Sequence, residues 1–270
     1  MDPARIEAKQ SALFERLSRL SSVAVAYSGG VDSAYLLYAA HRVLNERCVG
    51  VIADSPSLPR RDLEEALDLA RQRQWPVRVI QTRELENPDY ASNPMNRCYF
   101  CKKELFSVLR EQCARMGISD IVYGENGDDA RDFRPGRQAA LEYNILALLK
   151  DVGLTKQEIR ALSRRAGLPT AEKPAQPCLA SRLPTGQSVT REKLRQIEMG
   201  ERYLSEAGFN VYRLRHRGDV ARIQVAPNEL SRLKNPDLQS LLAQRLQNLG
   251  FSEVEFDWEG YRGPSLPRQE

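Results

Sequence analysis

Val23-Ala24-Val25-Ala26-Tyr27-Ser28-Gly29-Gly30-Val31-Asp32-Ser33 is the stretch on which the reading of this chain turns. An apolar run delivers a glycine-rich turn, and the turn opens a helix near Ser33, continued by Ala34-Tyr35-Leu36-Leu37. A helix start offers unpaired backbone N–H groups and the positive end of the helix dipole. Two glycines let the backbone approach an anion closely, and two serines add hydroxyl donors. The segment therefore reads as a phosphate cradle whose candidate binding residues are Ser28, Gly29, Gly30, Asp32 and Ser33. It lacks the Gly-x-x-x-x-Gly-Lys-Ser/Thr spacing, so a kinase-type or GTPase-type phosphate loop is not indicated.

Outward from this stretch, strand and helix signals alternate. Strands are predicted at 22–27, 47–53, 76–81 and 119–124, and helices at 33–46, 60–73, 99–116 and 138–149, after an amphipathic helix at 4–19. This alternation implies an α/β fold, a parallel sheet with helices on both faces. Ligands of such sheets sit at the carboxyl ends of the strands. The cradle ends the first strand, and Asp54 and Gly124 end two others, so these positions are expected to line one crevice. Thr155–Ala166 reads as a further helix, with Thr155 and Glu158 as a capping box and Gly167 as its stop. Residues 167–188 are proline-rich and aperiodic, which suits a functional loop or a linker. A helix at 190–207, a hairpin of 209–216 and 219–226, a helix near 236–249 and a short strand near 252–256 follow. The predicted division is a domain of residues 1–187 and a small α+β domain of residues 188–270.

Composition sets outer bounds. The 270 residues are 41% hydrophobic and 28% charged, ordinary for a globular protein. Apolar runs fall far short of a membrane span, and the start of the chain has no apolar signal core, so a cytoplasmic location is expected. A net charge of +4 is too small to argue for nucleic acid, although Arg202, Arg213, Arg215, Arg217 and Arg222 crowd one region. Five cysteines in such a chain point to thiol chemistry or metal binding rather than structural disulfides.

Cys178 lies in Pro174-Ala175-Gln176-Pro177-Cys178-Leu179-Ala180-Ser181-Arg182-Leu183-Pro184-Thr185-Gly186, a polar, proline-restricted loop. Its cationic neighbour Arg182 favours the reactive thiolate form, while Leu179 could instead anchor a buried loop. Cys98 and Cys101 stand three residues apart on one face of a predicted helix, which suits a metal pair, a redox pair or chance. A closed zinc site would need two more ligands in a chain with only two histidines. Cys98, Cys101 and Cys178 would suit a four-iron four-sulfur cluster with one open iron. Cys113 would lie ~18 Å along the helix axis from Cys101 and reads as core, as does Cys48. Asp128 and Asp129, in Gly124-Glu125-Asn126-Gly127-Asp128-Asp129, are candidate Mg²⁺ ligands, with Asp132 and Arg134 following. Ser55–Arg61 after the second strand could hold a nucleotide or shape a loop. Arg213 and Arg215 alternate along a strand and suit either phosphate binding or a solvated face, and His216 reads as a surface or turn residue.

Ser-Gly-Gly-x-Asp-Ser resembles the loop of the N-type ATP pyrophosphatases, which cleave ATP between the α and β phosphates and adenylate a substrate oxygen. With Ser55–Arg61, Gly124–Gly136, Pro174–Gly186 and the arginine hairpin, the chain resembles the LarE family of ATP-dependent sulfur transferases over most of residues 20–225. These make pyridinium-3,5-bisthiocarboxylic acid mononucleotide, a precursor of the nickel-pincer cofactor of lactate racemase. The resemblance implies ATP and Mg²⁺ at the cradle, with Asp54 and Gly124 beside the nucleotide. It implies adenylation of a carboxylate of a nucleotide-like small molecule, and Cys178 attacking the activated carbonyl. Ser181, Arg182, Arg213 and Arg215 match positions near the substrate phosphate. In single-cysteine members the cysteine becomes dehydroalanine. This chain instead resembles the three-cysteine members through Cys98 and Cys101, which implies a [4Fe-4S] cluster on Cys98, Cys101 and Cys178 and a cluster-bound sulfide delivered to substrate. A homo-oligomer and an external sulfur donor are further implications.

Three other readings share parts of the pattern. A tRNA thiolation enzyme would be retained on tRNA with steep salt dependence. An amide-forming ligase would need an ammonia source and leaves Cys178 without a purpose. A nucleotide sensor or cluster carrier would bind ATP without substrate-dependent pyrophosphate release.

Overall fold

A computed structural model describes residues 2–131, 135–174 and 176–261. Asp132 and Arg134 of the acidic loop, and Ala175 of the cysteine loop, lie outside the described residues. The chain forms two compact units, one of Met1–Tyr90 with Asn96–Pro177 and one of Ala91–Met95 with Cys178–Glu270.

The first unit is built on four parallel strands, β1 (Val23–Ala26), β2 (Cys48–Asp54), β3 (Val77–Gln81) and β4 (Asp120–Tyr123), in the order β3-β2-β1-β4. Its helices are α1 (Pro3–Ser18), α2 (Val31–Leu44), α3 (Arg60–Gln72), α4 (Pro88–Ala91, reaching the unit's edge), α5 (Arg97–Met116), α6 (Gly136–Glu142), α7 (Leu148–Asp151) and α8 (Lys156–Arg165). The sheet is apolar on both faces because both are covered. Along β1, Val23 and Val25 enter one core with Leu13, Leu36 and Ile159. Ala24, between them, enters the other core with Phe106, Leu109 and Ile121. The chain runs outward from β1 to β3 and then returns to the far side of β1, so the strand order reverses between β1 and β4. A ligand crevice is expected there, at the carboxyl ends.

Two sequence expectations change here. The helix after the cradle starts at Val31, with Gly30 as its N-cap, so Ser33 lies inside its first turn. The helix expected over 138–149 breaks into α6 and α7. Asn144, with φ of 51°, takes the left-handed conformation that ends α6. Leu146 then lies beside β4, where its N–H donates to the Ile121 carbonyl and its carbonyl accepts from Tyr123. The capping box at α8 is present, with the Thr155 and Glu158 side chains each accepting from the other's backbone N–H.

The second unit holds α9 (Arg191–Glu206), the antiparallel hairpin β5 (Tyr212–Arg217) and β6 (Val220–Val225), α10 (Leu230–Leu233), α11 (Pro236–Gln247) and β7 (Glu253–Phe256), which runs parallel to β6. Leu214, Ala221, Ile223 and Val225 point into one core with Leu204 and Leu246. Arg213, Arg215, Arg222 and Gln224 share the opposite face. Gly200 lets α9 lie close on this sheet, since a Cβ there would stand 2.3 Å from Leu214 Cδ2. His216, expected at the surface, is buried on the core side, edge-on to Phe251 and bonded through both ring nitrogens to Gln187 and Gln196. Burial, reinforced by the Lys193 charge, pushes it below its usual value.

Candidate functional site

The cradle hangs between β1 and α2. Tyr27 fixes its base: its N–H donates to the Val51 carbonyl and its hydroxyl to the Ala66 carbonyl. The Ser28 N–H donates to Ser33 Oγ at 3.1 Å, and the two serine hydroxyls lie 3.0 Å apart. Gly29 has φ of +70°, and a Cβ on it would stand 2.6 Å from Ala66 Cβ on α3. No side chain caps α2, so its first amides remain directed at whatever enters the loop. Gly124 ends β4 against this turn; a Cβ there would stand 2.9 Å from the Ser33 nitrogen. Both glycines are thus explained by close approach. Gly29→Ala meets the left-handed backbone and the Ala66 contact together, at a cost of about 1–2 kcal/mol from the backbone alone. ATP affinity is expected to fall at least ~10-fold, read by ATP titration against the unsubstituted protein.

Asp54 and the following segment shape the rim. Burial would raise the Asp54 carboxyl, but hydrogen bonds from Arg60 and Gln81 outweigh it and hold it below the usual carboxylate range. Arg60 also donates to the Ser55 and Leu58 carbonyls at 2.6 and 2.8 Å. Of the two roles open for Ser55–Arg61, loop shaping is the one these bonds describe.

The acidic loop is organised around Asn126. Its Oδ1 accepts from the Asp128 and Asp129 amides at 2.9 and 3.3 Å. Asp129 Oδ2 accepts from the Asn126 amide at 3.1 Å, and Asp128 Oδ2 from the Lys156 amide at 2.8 Å. One oxygen of each carboxylate expected to take Mg²⁺ is thus engaged by backbone. Asp32 differs. Its Oδ2 accepts from Lys156 Nζ and Asn126 Nδ2, while its Oδ1 is buried with no hydrogen-bond partner among the described residues. A buried, unpartnered carboxylate oxygen inside a phosphate cradle fits a Mg²⁺ ion shared with phosphates, which needs only one or two carboxylates.

In the second unit Cys178 is half-buried and is the N-cap of a 3-10 turn, Leu179–Arg182. Leu179 and Ala180 are buried and anchor the turn. Arg182 is 1% exposed; its Nε and Nη2 reach the two carboxylate oxygens of Glu201 on α9 at 2.8 and 2.9 Å. Its Nη1 donates to the Cys178 carbonyl at 3.1 Å and to Ser181 Oγ at 3.0 Å. Arg182, expected beside the substrate, pairs its charge with Glu201 and shapes the cysteine loop. Arg215 Nη1 donates to the Ser181 carbonyl at 3.0 Å. The guanidinium groups of Arg213 and Arg215 lie 4.8 and 6.0 Å from the ring centre of Tyr261. Ser181, Arg182 and Arg215 are therefore brought together around Cys178, with Arg213 on the same strand face as Arg215.

Cys98 and Cys101 open α5 in the first unit; Cys98 is exposed and Cys101 half-buried. Cys48 and Cys113 are buried, as expected of core thiols, and burial pushes Cys48 up to about 12 and Cys113 to about 11. Among the described residues no group of three or more His, Cys, Asp or Glu side chains is gathered to hold a metal ion. Of the expected cluster ligands, Cys98 and Cys101 belong to the first unit and Cys178 to the second.

No family model matches the chain. It is 40% identical over 266 residues to an uncharacterized protein of Synechocystis sp., covering 97% of this chain and 98% of that one. It is 30% identical over 260 residues to the pyridinium-3,5-bisthiocarboxylic acid mononucleotide synthase of Lactiplantibacillus plantarum, covering 96% and 94%. The chain belongs to the family of that synthase, the LarE family. A GMP synthase of Crocosphaera subtropica is 25% identical over 171 residues, 54% of this chain and 32% of that protein. The first unit has the ATP pyrophosphatase fold expected from the cradle, with its parallel sheet and flanking helices.

Several site residues of this LarE-family chain escape sequence reasoning. Glu201 could have been found: it falls on the buried stripe of α9 with Leu194, Ile197 and Leu204, where a carboxylate needs a partner. Lys156 follows an N-cap threonine and reads as a solvated helix start, yet its amine reaches Asp32. Tyr261 carries no signal of its own. Among the described residues no helix is long and apolar enough to cross a membrane.

Proposed function

We propose that this chain is an ATP-dependent sulfur transferase that converts carboxylates of pyridinium-3,5-biscarboxylic acid mononucleotide to thiocarboxylates. The observation that carries the reading is the bond from Arg215 to the Ser181 carbonyl, which ties a guanidinium suited to a phosphate to the Cys178 loop. In this reading the cradle holds the β and γ phosphates of ATP, and a substrate carboxylate oxygen attacks the α phosphorus and releases pyrophosphate. Mg²⁺ bound at Asp32 would offset the phosphate charge. The Cys178 thiolate adds to the activated carbonyl carbon and expels AMP, leaving a thioester. Loss of the Cys178 α-proton to a base breaks the Cβ–S bond. The sulfur leaves on the substrate as a thiocarboxylate, and Cys178 becomes dehydroalanine. The test is pyrophosphate release: it should require the biscarboxylate as well as ATP. Release that ignores the biscarboxylate, or none with it, would remove this reading.

A second reading keeps the cluster, because Cys98 and Cys101 stand one turn apart at an accessible helix start. Iron and labile sulfide on anaerobically purified protein and on Cys98→Ala separate the readings. The sacrificial route predicts no iron in either; about four irons per chain, lost in the variant, would establish the cluster instead. An external sulfur donor belongs to the cluster reading alone, and a homo-oligomer is compatible with both.

A further inference from the structure

Arg215 and Arg222 face each other across the β5–β6 hairpin as register partners. Two like charges directly opposite repel unless something distinguishes them. The residue that distinguishes them is Asp257, buried just after β7. Its Oδ2 accepts from Arg222 Nε and Nη2 at 3.2 and 3.0 Å, a direct ion pair. The same oxygen accepts from Gln224 Nε2 at 2.6 Å, and Gln224 Oε1 accepts from Arg215 Nε at 2.9 Å. A guanidinium has only donors and a carboxylate only acceptors, so the Gln224 amide can face only one way. Arg222 thus receives the carboxylate, whereas Arg215 receives a neutral amide oxygen. Burial, reinforced by Arg182 and Arg213 and opposed by Tyr261 and Glu201, pushes Arg215 below its ordinary value. Glu255 on β7 is the register partner of Arg222, not of Arg215, and Glu201 is paired with Arg182, so both leave Arg215 to the Gln224 amide.

We propose that Gln224 and Asp257 are positioning residues for Arg215. The amide fixes the guanidinium in place and keeps the carboxylate one side chain away, so that Arg215 meets the anionic group of the substrate with its charge intact. This rests on the reading that Arg215 binds that group. A glutamate at position 224 would pair with Arg215 directly and would also stand against Asp257, where two carboxylates share a proton.

The experiment titrates the biscarboxylate mononucleotide into the full chain at saturating ATP and Mg²⁺ between pH 6 and 9, and takes kcat and KM as the maximal rate constant and half-saturating concentration of the first turnover of pyrophosphate release. Gln224→Glu is expected to raise KM ~10-fold or more with kcat little changed, the equivalent of about 1.4 kcal/mol of binding. The effect should grow with pH as the introduced carboxyl ionises. Gln224→Leu removes both hydrogen bonds without adding a charge, and should raise KM several-fold with no new pH dependence. It also serves if Gln224→Glu does not fold. Arg215→Gln is the control for the underlying reading. If it raises KM while Gln224→Glu or Gln224→Leu leaves KM unchanged, the positioning role is overturned and the Arg215 reading stands. If Arg215→Gln itself leaves KM unchanged, the Arg215 reading fails and the positioning role with it.

Discussion

Cys178→Ala is expected to abolish thiocarboxylate formation, by on the order of 10³-fold or more, while substrate-dependent pyrophosphate release continues. The two halves of the outcome follow from where the chemistry sits. In the proposed reaction adenylation rests on the cradle and Asp32, both in the first unit, and sulfur transfer on Cys178 in the second. The loop should survive the change. The hydrogen bonds from Ser181 and Arg182 end on the Cys178 carbonyl, which alanine retains. Circular dichroism and thermal unfolding check that the fold is intact, and product analysis by mass spectrometry reads the sulfur step. A variant that still makes thiocarboxylate at the wild-type rate would remove Cys178 from the reaction.

Arg182→Leu is expected to destabilise the second unit by about 3–5 kcal/mol, measured by urea unfolding. The guanidinium is buried, and its removal leaves the Glu201 carboxylate in the interior without its cation. It also removes the two bonds that shape the turn at Cys178 and Ser181, so sulfur transfer should fall with stability. The double variant Arg182→Leu, Glu201→Leu should recover much of the loss, because replacing a whole buried pair by apolar side chains is close to neutral. Recovery stays incomplete, since Glu201 also accepts the Leu214 amide at 3.1 Å and a buried N–H left unpaired costs about 1–3 kcal/mol. A loss below about 1 kcal/mol for the single variant would mean that the pair is solvated in solution.

The first unit was legible because its signals are local. An apolar run, a glycine turn and a helix period identify β1, the cradle and α2 without knowledge of what packs on them, and the strand ends follow from the same alternation. The helix start was misplaced because a serine reads as a natural N-cap, whereas Gly30 takes that position and Ser33 turns back to the Ser28 amide. The break at Asn144 depends on Leu146 pairing beside β4, a contact that sequence spacing does not encode. Arg182 was read correctly as a cation near Cys178, but its purpose depends on Glu201, nineteen positions away and visible only as an acid in an apolar stripe. The sorting of Arg215 from Arg222 was beyond reach, because it requires the register of β5 on β6 and the return of Asp257 after β7.

The central claim is tested most directly by one reaction: purified chain, ATP, Mg²⁺ and pyridinium-3,5-biscarboxylic acid mononucleotide, followed by quantitation of pyrophosphate and thiocarboxylate and by peptide mass analysis. The account predicts pyrophosphate only when the biscarboxylate is present, thiocarboxylate in the product, and loss of one H₂S from the peptide that carries Cys178. Thiocarboxylate formed over many turnovers with the Cys178 peptide unchanged would contradict the sacrificial route, and no pyrophosphate release with the biscarboxylate would contradict the proposed activity itself.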